Sequence, residues 1–141
     1  MVERTLAIIK PDAVRKHAAG NIIDMIIQAR FEILGLKYVR ISKKQAESFY
    51  DIHAERPFYM DLVEFMTSGT VVVIALQKEN AVADYRKLIG NTDPNLAEEG
   101  TVRKLYGESK SYNAVHGSDS HENGEREISF FFSGGEIVEF E

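Results

Sequence analysis

The chain has 141 residues, 44% hydrophobic and 28% charged, which suits one domain with a real core. It contains no cysteine, so disulfides, thiolate nucleophiles and cysteine-bound metal clusters are excluded. With 17 Lys and Arg against 22 Asp and Glu, the net charge is −5, which on average repels a nucleic-acid polyanion. Such a chain can still hold a small anion if its few cations gather at one place.

Arg4 to Ile9 is β-rich and predicts a strand. Lys10-Pro11-Asp12-Ala13-Val14 opens a helical turn, with Pro where its missing N–H costs nothing. From Gly20 to about Arg30, Ile22/Ile23 and Ile26/Ile27 recur at helical spacing and form one apolar stripe. Phe31, Ile33, Val39 and Ile41 then alternate with Glu32, Leu34, Leu36, Tyr38 and Arg40, predicting a long strand with a bulge at Gly35. Ser42-Lys43-Lys44-Gln45 is a capping box, so a helix starts there and runs through Ala46, Phe49 and Tyr50. Pro57 opens another helix, carrying Leu62, Val63 and Met66 and closed by Gly69.

Thr70 to Leu76 is continuously apolar and β-branched, as a central strand buried on both faces should be. Val82, Tyr85 and Ile89 mark a helix ended by Gly90. A polar loop over 91–100 leads to a short helical turn from Thr101 to Gly107. A short strand before His116 and a last helix, capped by Ser120 and ending in Phe130 to Phe132, complete the chain. No repeat or linker divides it, so a single domain over 1–141 is expected. The interleaving suits an α/β protein of the α+β sandwich kind. Its order fits a ferredoxin-like fold, a four-stranded antiparallel sheet covered by helices, better than a doubly wound sheet. The N-terminal apolar run stops at Lys10, too short for a signal peptide, and no stretch approaches the roughly 20 apolar residues of a membrane span. A cytoplasmic protein with no membrane partner is the expectation.

Of the four histidines, His17, His53, His116 and His121, only His116 has chemically suggestive surroundings. Two apolar residues precede it, and a glycine, two hydroxyls and a carboxylate follow, in Asn113-Ala114-Val115-His116-Gly117-Ser118-Asp119-Ser120. A reactive histidine and a polar turn capping the last helix weigh about equally by composition. Ser118 and Ser120 lack the Gly-x-Ser-x-Gly elbow of hydrolase nucleophiles. His116, Asp119 and His121 match no standard metal-ligand spacing. No glycine-rich phosphate loop exists, so a phosphate site would need side chains. Lys10, Arg86 and Arg103 are the candidates, Arg for forked contacts and Lys as a point charge. Spacing alone does not bring the three together.

These segments resemble the nucleoside diphosphate kinase family. Asn113-x-x-His116-Gly117-Ser118-Asp119-Ser120 is similar to its active-site signature, whose histidine is the phosphorylated nucleophile. Arg4-Thr5, Lys10-Pro11-Asp12-Ala13-Val14, Arg56-Pro57-Phe58-Tyr59 and Met66-x-Ser68-Gly69 match before it. Gly90-x-Thr92-x-Pro94, Gly100-Thr101-x-Arg103 and Glu127-Ile128 match further on, so the resemblance spans nearly the whole chain. It implies that His116 takes the γ-phosphate of a nucleoside triphosphate and passes it to a nucleoside diphosphate, with ping-pong kinetics. It further implies that Lys10, Arg86, Thr92 and Arg103 contact the phosphates together with Mg²⁺, no metal ligand coming directly from the protein. Tyr50 would lie near Lys10 and His116. Phe58 would stack on the base, Leu62 line its other edge, and Asn113 and Lys10 reach the sugar hydroxyl. Glu127 would orient the histidine ring, with Ser118 supporting it. The implied assembly is a homo-oligomer, a tetramer or hexamer built from dimers, with no specific nucleic-acid partner. The short C-terminus resembles bacterial members.

Two departures stand out. Arg30 replaces the glycine with which many members end the first long helix, and Lys104-Leu105 replaces a small and acidic pair. The alternative reading, a catalytically silent nucleotide-binding regulatory protein of the same fold, would be marked by loss of His116, Lys10 or Arg86, and all three are kept.

Overall fold

The computed structural model describes residues 1–139. The elements run β1 (Val2–Ile9), α1 (Pro11–Arg15), α2 (Ala19–Gln28), β2 (Glu32–Arg40), α3 (Lys43–Phe49) and α4 (Tyr59–Met66). They continue as β3 (Thr70–Glu79), α5 (Ala81–Ile89), α6 (Val102–Tyr106), β4 (Val115–Gly117) and α7 (His121–Phe131). The four strands form one antiparallel sheet in the order β2-β3-β1-β4, the ferredoxin-like arrangement read from the sequence.

The β-branched run in β3 is buried on both faces, as its lack of alternation predicts. Val72, Ile74 and Leu76 face a layer built from Ala13, Ile22, Ile26, Tyr85, Ile89 and Val102. Val71, Val73 and Ala75 face the opposite layer, which contains Ala46, Phe49, Val63, Met66, Ile128 and Phe132. β1 divides in the same way, with Ala7 and Ile9 on the first side and Leu6 and Ile8 on the second. The α7 helix lies close on β1 at Gly124, where a Cβ would run into the carbonyl oxygen of Arg4.

The bulge in β2 falls one residue earlier than expected, on Leu34. Ile33 pairs with Leu76 and Gly35 with Ala75, so Leu34 is the extra residue. Its side chain is fully buried in the second layer. An extra residue reverses the face on which the strand's odd positions point. Phe31 and Ile33 therefore pack with the first layer, whereas Val39 and Ile41 pack with the second. Gly35 is needed here, because a Cβ would lie 2.9 Å from the Phe132 ring.

The α3 capping box is present in both directions, Ser42 to Gln45 and back. The next helix starts at Tyr59, later than Pro57 suggested, because 51–58 are spent in a 3-10 turn and further turns. It ends at Met66, before Gly69. The Thr67 and Ser68 hydroxyls donate to the Val63 and Phe65 carbonyls and satisfy its last turn. Gly90 ends α5 as expected, with φ +88.

Arg30 follows the end of α2, where the sequence suggested a different shape. Its N–H and that of Phe31 close back on Ile27 and Ile26, which forces Arg30 to φ +73. This is a glycine's conformation, occupied by a side chain that is exposed and needs no room in the core. Arg30→Gly should raise unfolding stability by about 0.5–1 kcal/mol, part of the relief being lost to the freer unfolded chain. Urea denaturation of the two proteins measures it.

Candidate active site

His116 sits in the middle of β4, opposite Ile8 of β1. Since Ile8 faces the second layer, the histidine ring also turns that way, toward α3 and α7. Its Nε2 lies 2.8 Å from Glu127 Oε1. The Ser118 hydroxyl donates to the same oxygen at 2.7 Å and accepts the backbone N–H of Leu6 at 3.0 Å. A continuous chain of hydrogen bonds thus runs from β1 through Ser118 and Glu127 to the ring. Burial would raise the Glu127 pKa, but the hydrogen bonds and charge of His116, with Ser118 and Arg126, outweigh it and hold the carboxyl below its usual range. Glu127 is therefore an ionised acceptor, which places the imidazole proton on Nε2 and leaves the Nδ1 lone pair free. Phe49 presents its edge to the ring, with centroids 5.7 Å apart. Gly117 is required beside it, since a Cβ would lie 2.9 Å from the Tyr85 ring.

The cations bind the backbone and loops that flank this strand. Lys10, at the end of β1, is buried and donates to Asn113 Oδ1 at 2.9 Å. Asn113 in turn donates to the carbonyl of Thr92 at 3.1 Å, tying the polar loop to the site. Burial, with the nearby Arg103 charge, lowers the Lys10 pKa to about 8 despite the opposing pull of Asp12. Arg103 is also buried, and its two terminal nitrogens donate to the carbonyls of Gly90 at 3.0 Å and Val115 at 2.9 Å. Arg86 donates to the Ser118 carbonyl at 3.4 Å. The two guanidinium groups therefore grip the backbone on either side of His116.

Ser118, Glu127 and Arg86 are thus joined to one another beside His116, Arg103 binds the carbonyl of the preceding Val115, and Lys10 and Asn113 bond to each other and to the backbone carbonyl of Thr92 just upstream. Tyr50 joins them more loosely. It is buried next to Phe49, its rings 4.9 Å from that neighbour's, and burial together with the Glu127 charge pushes its phenol pKa up, so it stays neutral. Phe58 and Leu62 lie apart, at the start of α4. Leu62 packs on the second layer, and Phe58 is 48% exposed with the His53 ring 5.6 Å away. The sequence singled out neither Phe49 nor the contact of Asp12 with Ala114, described below. Phe49 reads as an ordinary core position of α3, and the aromatic pair Phe49-Tyr50 was its one visible signal. His121 serves the fold, its Nδ1 accepting the Arg4 N–H at 3.0 Å. Among the described residues, no three His, Asp or Glu side chains converge on a metal position.

A histidine with one nitrogen held by a carboxylate, and cations nearby, has the chemistry needed to accept a phosphoryl group. The sequence pattern of nucleoside diphosphate kinase matches residues 3–137. The chain is 57% identical to the nucleoside diphosphate kinase of Chlorobium limicola over 97% of its length and 98% of that protein's. It is 52% identical to that of a Geobacter species over 97% and 100%. The Aquifex aeolicus nucleoside diphosphate kinase structure superimposes with a TM-score of 0.96 at 48% identity, covering 98% of this chain and all of the other. The Halobacterium salinarum enzyme, solved in complex with CDP, gives 0.94 at 35% identity over 100% and 94%. The chain belongs to the nucleoside diphosphate kinase family and is a phosphotransferase enzyme.

Lys10 makes the site a burden on the fold. Unfolded, it binds its proton up to about pH 10.5; folded, only up to about 8. Between these values the unfolded chain carries more protons, so this residue's contribution to stability rises with pH. Lys10→Met should therefore be more stable than the parent by about 2 kcal/mol at pH 7, allowing for the partner lost by Asn113. The gap should narrow as the pH is raised to about 9.5, which urea titrations at several pH values measure.

Proposed function

We propose that His116 carries the phosphoryl group between nucleotides. The observation that supports this most directly is the Glu127 hydrogen bond, which leaves Nδ1 as the only nitrogen with a lone pair to offer. In the first half-reaction Nδ1 bonds to the γ-phosphorus of a nucleoside triphosphate. The bond from that phosphorus to the bridging oxygen breaks, and its electron pair leaves on the diphosphate. In the second, the terminal oxygen of another nucleoside diphosphate attacks the phosphohistidine, and the nitrogen regains its lone pair. Glu127 remains ionised throughout and stabilises the positive charge that the ring develops on phosphorylation.

Lys10, Arg86, Arg103 and Thr92 hold the phosphates in this reading, and Tyr50 supplies a neutral donor beside the carrier. Phe58 stacks on the base with Leu62 at its other edge. Such contacts read no base-edge pattern, so broad base tolerance is expected. Asn113 and Lys10 take the sugar hydroxyl. Mg²⁺, when bound, neutralises charge on the transferring phosphates. It fits here as a metal held by the nucleotide, because Glu127, the carboxylate at the ring, is already engaged by His116 and Ser118. The nucleotide bound to the Halobacterium relative, CDP, is of the kind this reading requires as acceptor.

We further propose a single catalytic domain over 1–141, working in the cytoplasm as a tetramer or hexamer built from dimers. The outer edge of β2, with Leu36 and Tyr38 exposed, favours such assembly. No helix among the described residues is long and apolar enough to cross a membrane.

Incubation with γ-labelled ATP should give a protein-bound phosphate that is stable to alkali and labile to acid. Any nucleoside diphosphate should discharge it. His116→Ala should lose both the label and at least a thousandfold in exchange rate; retention of either overturns the reading.

A further inference from the structure

Asp12 is a buried carboxylate at the junction of β1 and α1, and the catalytic reading gives it no role. Its Oδ2 accepts the backbone N–H of Ala114 at 3.1 Å. From the same segment, the Lys10 backbone N–H donates to the Ala114 carbonyl at 2.8 Å, and Lys10 Nζ reaches Asn113 Oδ1. Lys10, with two, and Asp12, with one, thus make three bonds to the dipeptide Asn113-Ala114, and Pro11 between them fixes the backbone angle.

The turn they hold is strained. Ala114 has φ +73, and the Val115 N–H closes back onto the Asn113 carbonyl at 2.9 Å. A three-residue turn of this sign is disfavoured for any residue with a Cβ. Ala114 is wholly buried, so water cannot replace the Asp12 bond if it is lost. Asn113 is the first residue of this turn, and His116 directly follows its last. The other Asp12 oxygen is buried without a partner, an arrangement that disfavours the fold and that a neutral side chain would lighten.

We propose that Asp12 is a positioning residue for phosphoryl transfer: its carboxylate holds Ala114 in the left-handed turn that sets Asn113 and His116 in place. The inference rests on His116 being the phosphoryl carrier. Without the acceptor, Ala114 relaxes toward negative φ and the peptide planes on both sides rotate. Asn113 swings off Lys10, and the β4 backbone that aims Nδ1 shifts. In-line attack tolerates little such error, so kcat falls at saturating nucleotide, and KM rises beside it because Asn113 and Lys10 also hold the nucleotide in this reading.

The test measures kcat at saturating nucleotides for Asp12→Ala and Asp12→Asn, each with and without Ala114→Gly, together with amide hydrogen exchange at Ala114. Asp12→Ala should lower kcat 10- to 100-fold and speed Ala114 exchange at least 100-fold, leaving exchange in β1 and β3 unchanged. Asp12→Asn should recover most of the rate, because its amide oxygen still accepts. In the A114G background the Asp12→Ala loss should shrink to less than fivefold, since glycine keeps positive φ without a restraint. An Asp12→Ala protein within twofold of the parent overturns the proposal, as does an equal loss in both backgrounds. Should Asp12→Ala not fold, the double variant and Asp12→Asn decide on the same terms, and failure of the double variant to fold also overturns it. His116→Ala, assayed alongside, tests the carrier reading separately, because Ala114 exchange reports on Asp12 whatever carries the phosphate.

Discussion

The antiparallel pairing of three residues of β4 with β1 governs the chemistry of this molecule. It sets His116 opposite Ile8 and so turns the imidazole toward α7, where Glu127 waits at 2.8 Å. The same pairing brings Ser118 under Leu6, so the serine that supports Glu127 is itself fixed by the sheet. A shift of one residue would point the ring into the first layer, among Tyr85 and Val102, away from every partner it has. So short a ladder holds weakly on its own. Its register is set instead by bonds from outside the sheet: Arg103 on Val115, Arg86 on Ser118, and the Lys10-Pro11-Asp12 segment on Ala114.

Those external bonds come from groups that a fold selected for stability alone would avoid. Lys10 and Arg103 are cations placed where burial lowers the pKa of each, and each carries the other's repulsion or that of Arg86. Arg103 Nε and one oxygen of Asp12 are buried without partners. Positive charge gathered in this way is what a polyphosphate would relieve, and it explains how a chain with net charge −5 can accommodate one. The average charge says little about the one place where charge matters.

Much of this was legible in the sequence. The strand and helix order, the capping box at Ser42, the two-faced burial of β3 and the role of Gly90 follow from local patterns, and the structure has each of them. The motif singled out His116, and Arg86, Arg103, Ser118 and Glu127 bond to it or to the strand and residues that flank it. The remainder depended on contacts far apart in the chain. Gly35 signalled a bulge in this strand, but the apolar residues on both sides of it gave no local sign that the extra residue is Leu34. Asp12 reads as a first-turn acid of α1, and its contact lies 102 positions away. Arg103 could equally have faced solvent; its inward fork depends on where Gly90 and Val115 come to lie.

The change of face in β2 has a consequence for how the molecule fails. Phe31 and Ile33 belong to the layer of α2 and α5, and Leu34, Val39 and Ile41 to the layer of α3, α4 and α7. One unbroken stretch of backbone is thus built into both halves of the core, and β1 and β3 are shared in the same manner. The two layers are coupled through these shared strands, so a substitution that loosens one layer also removes packing from the backbone on which the other is built.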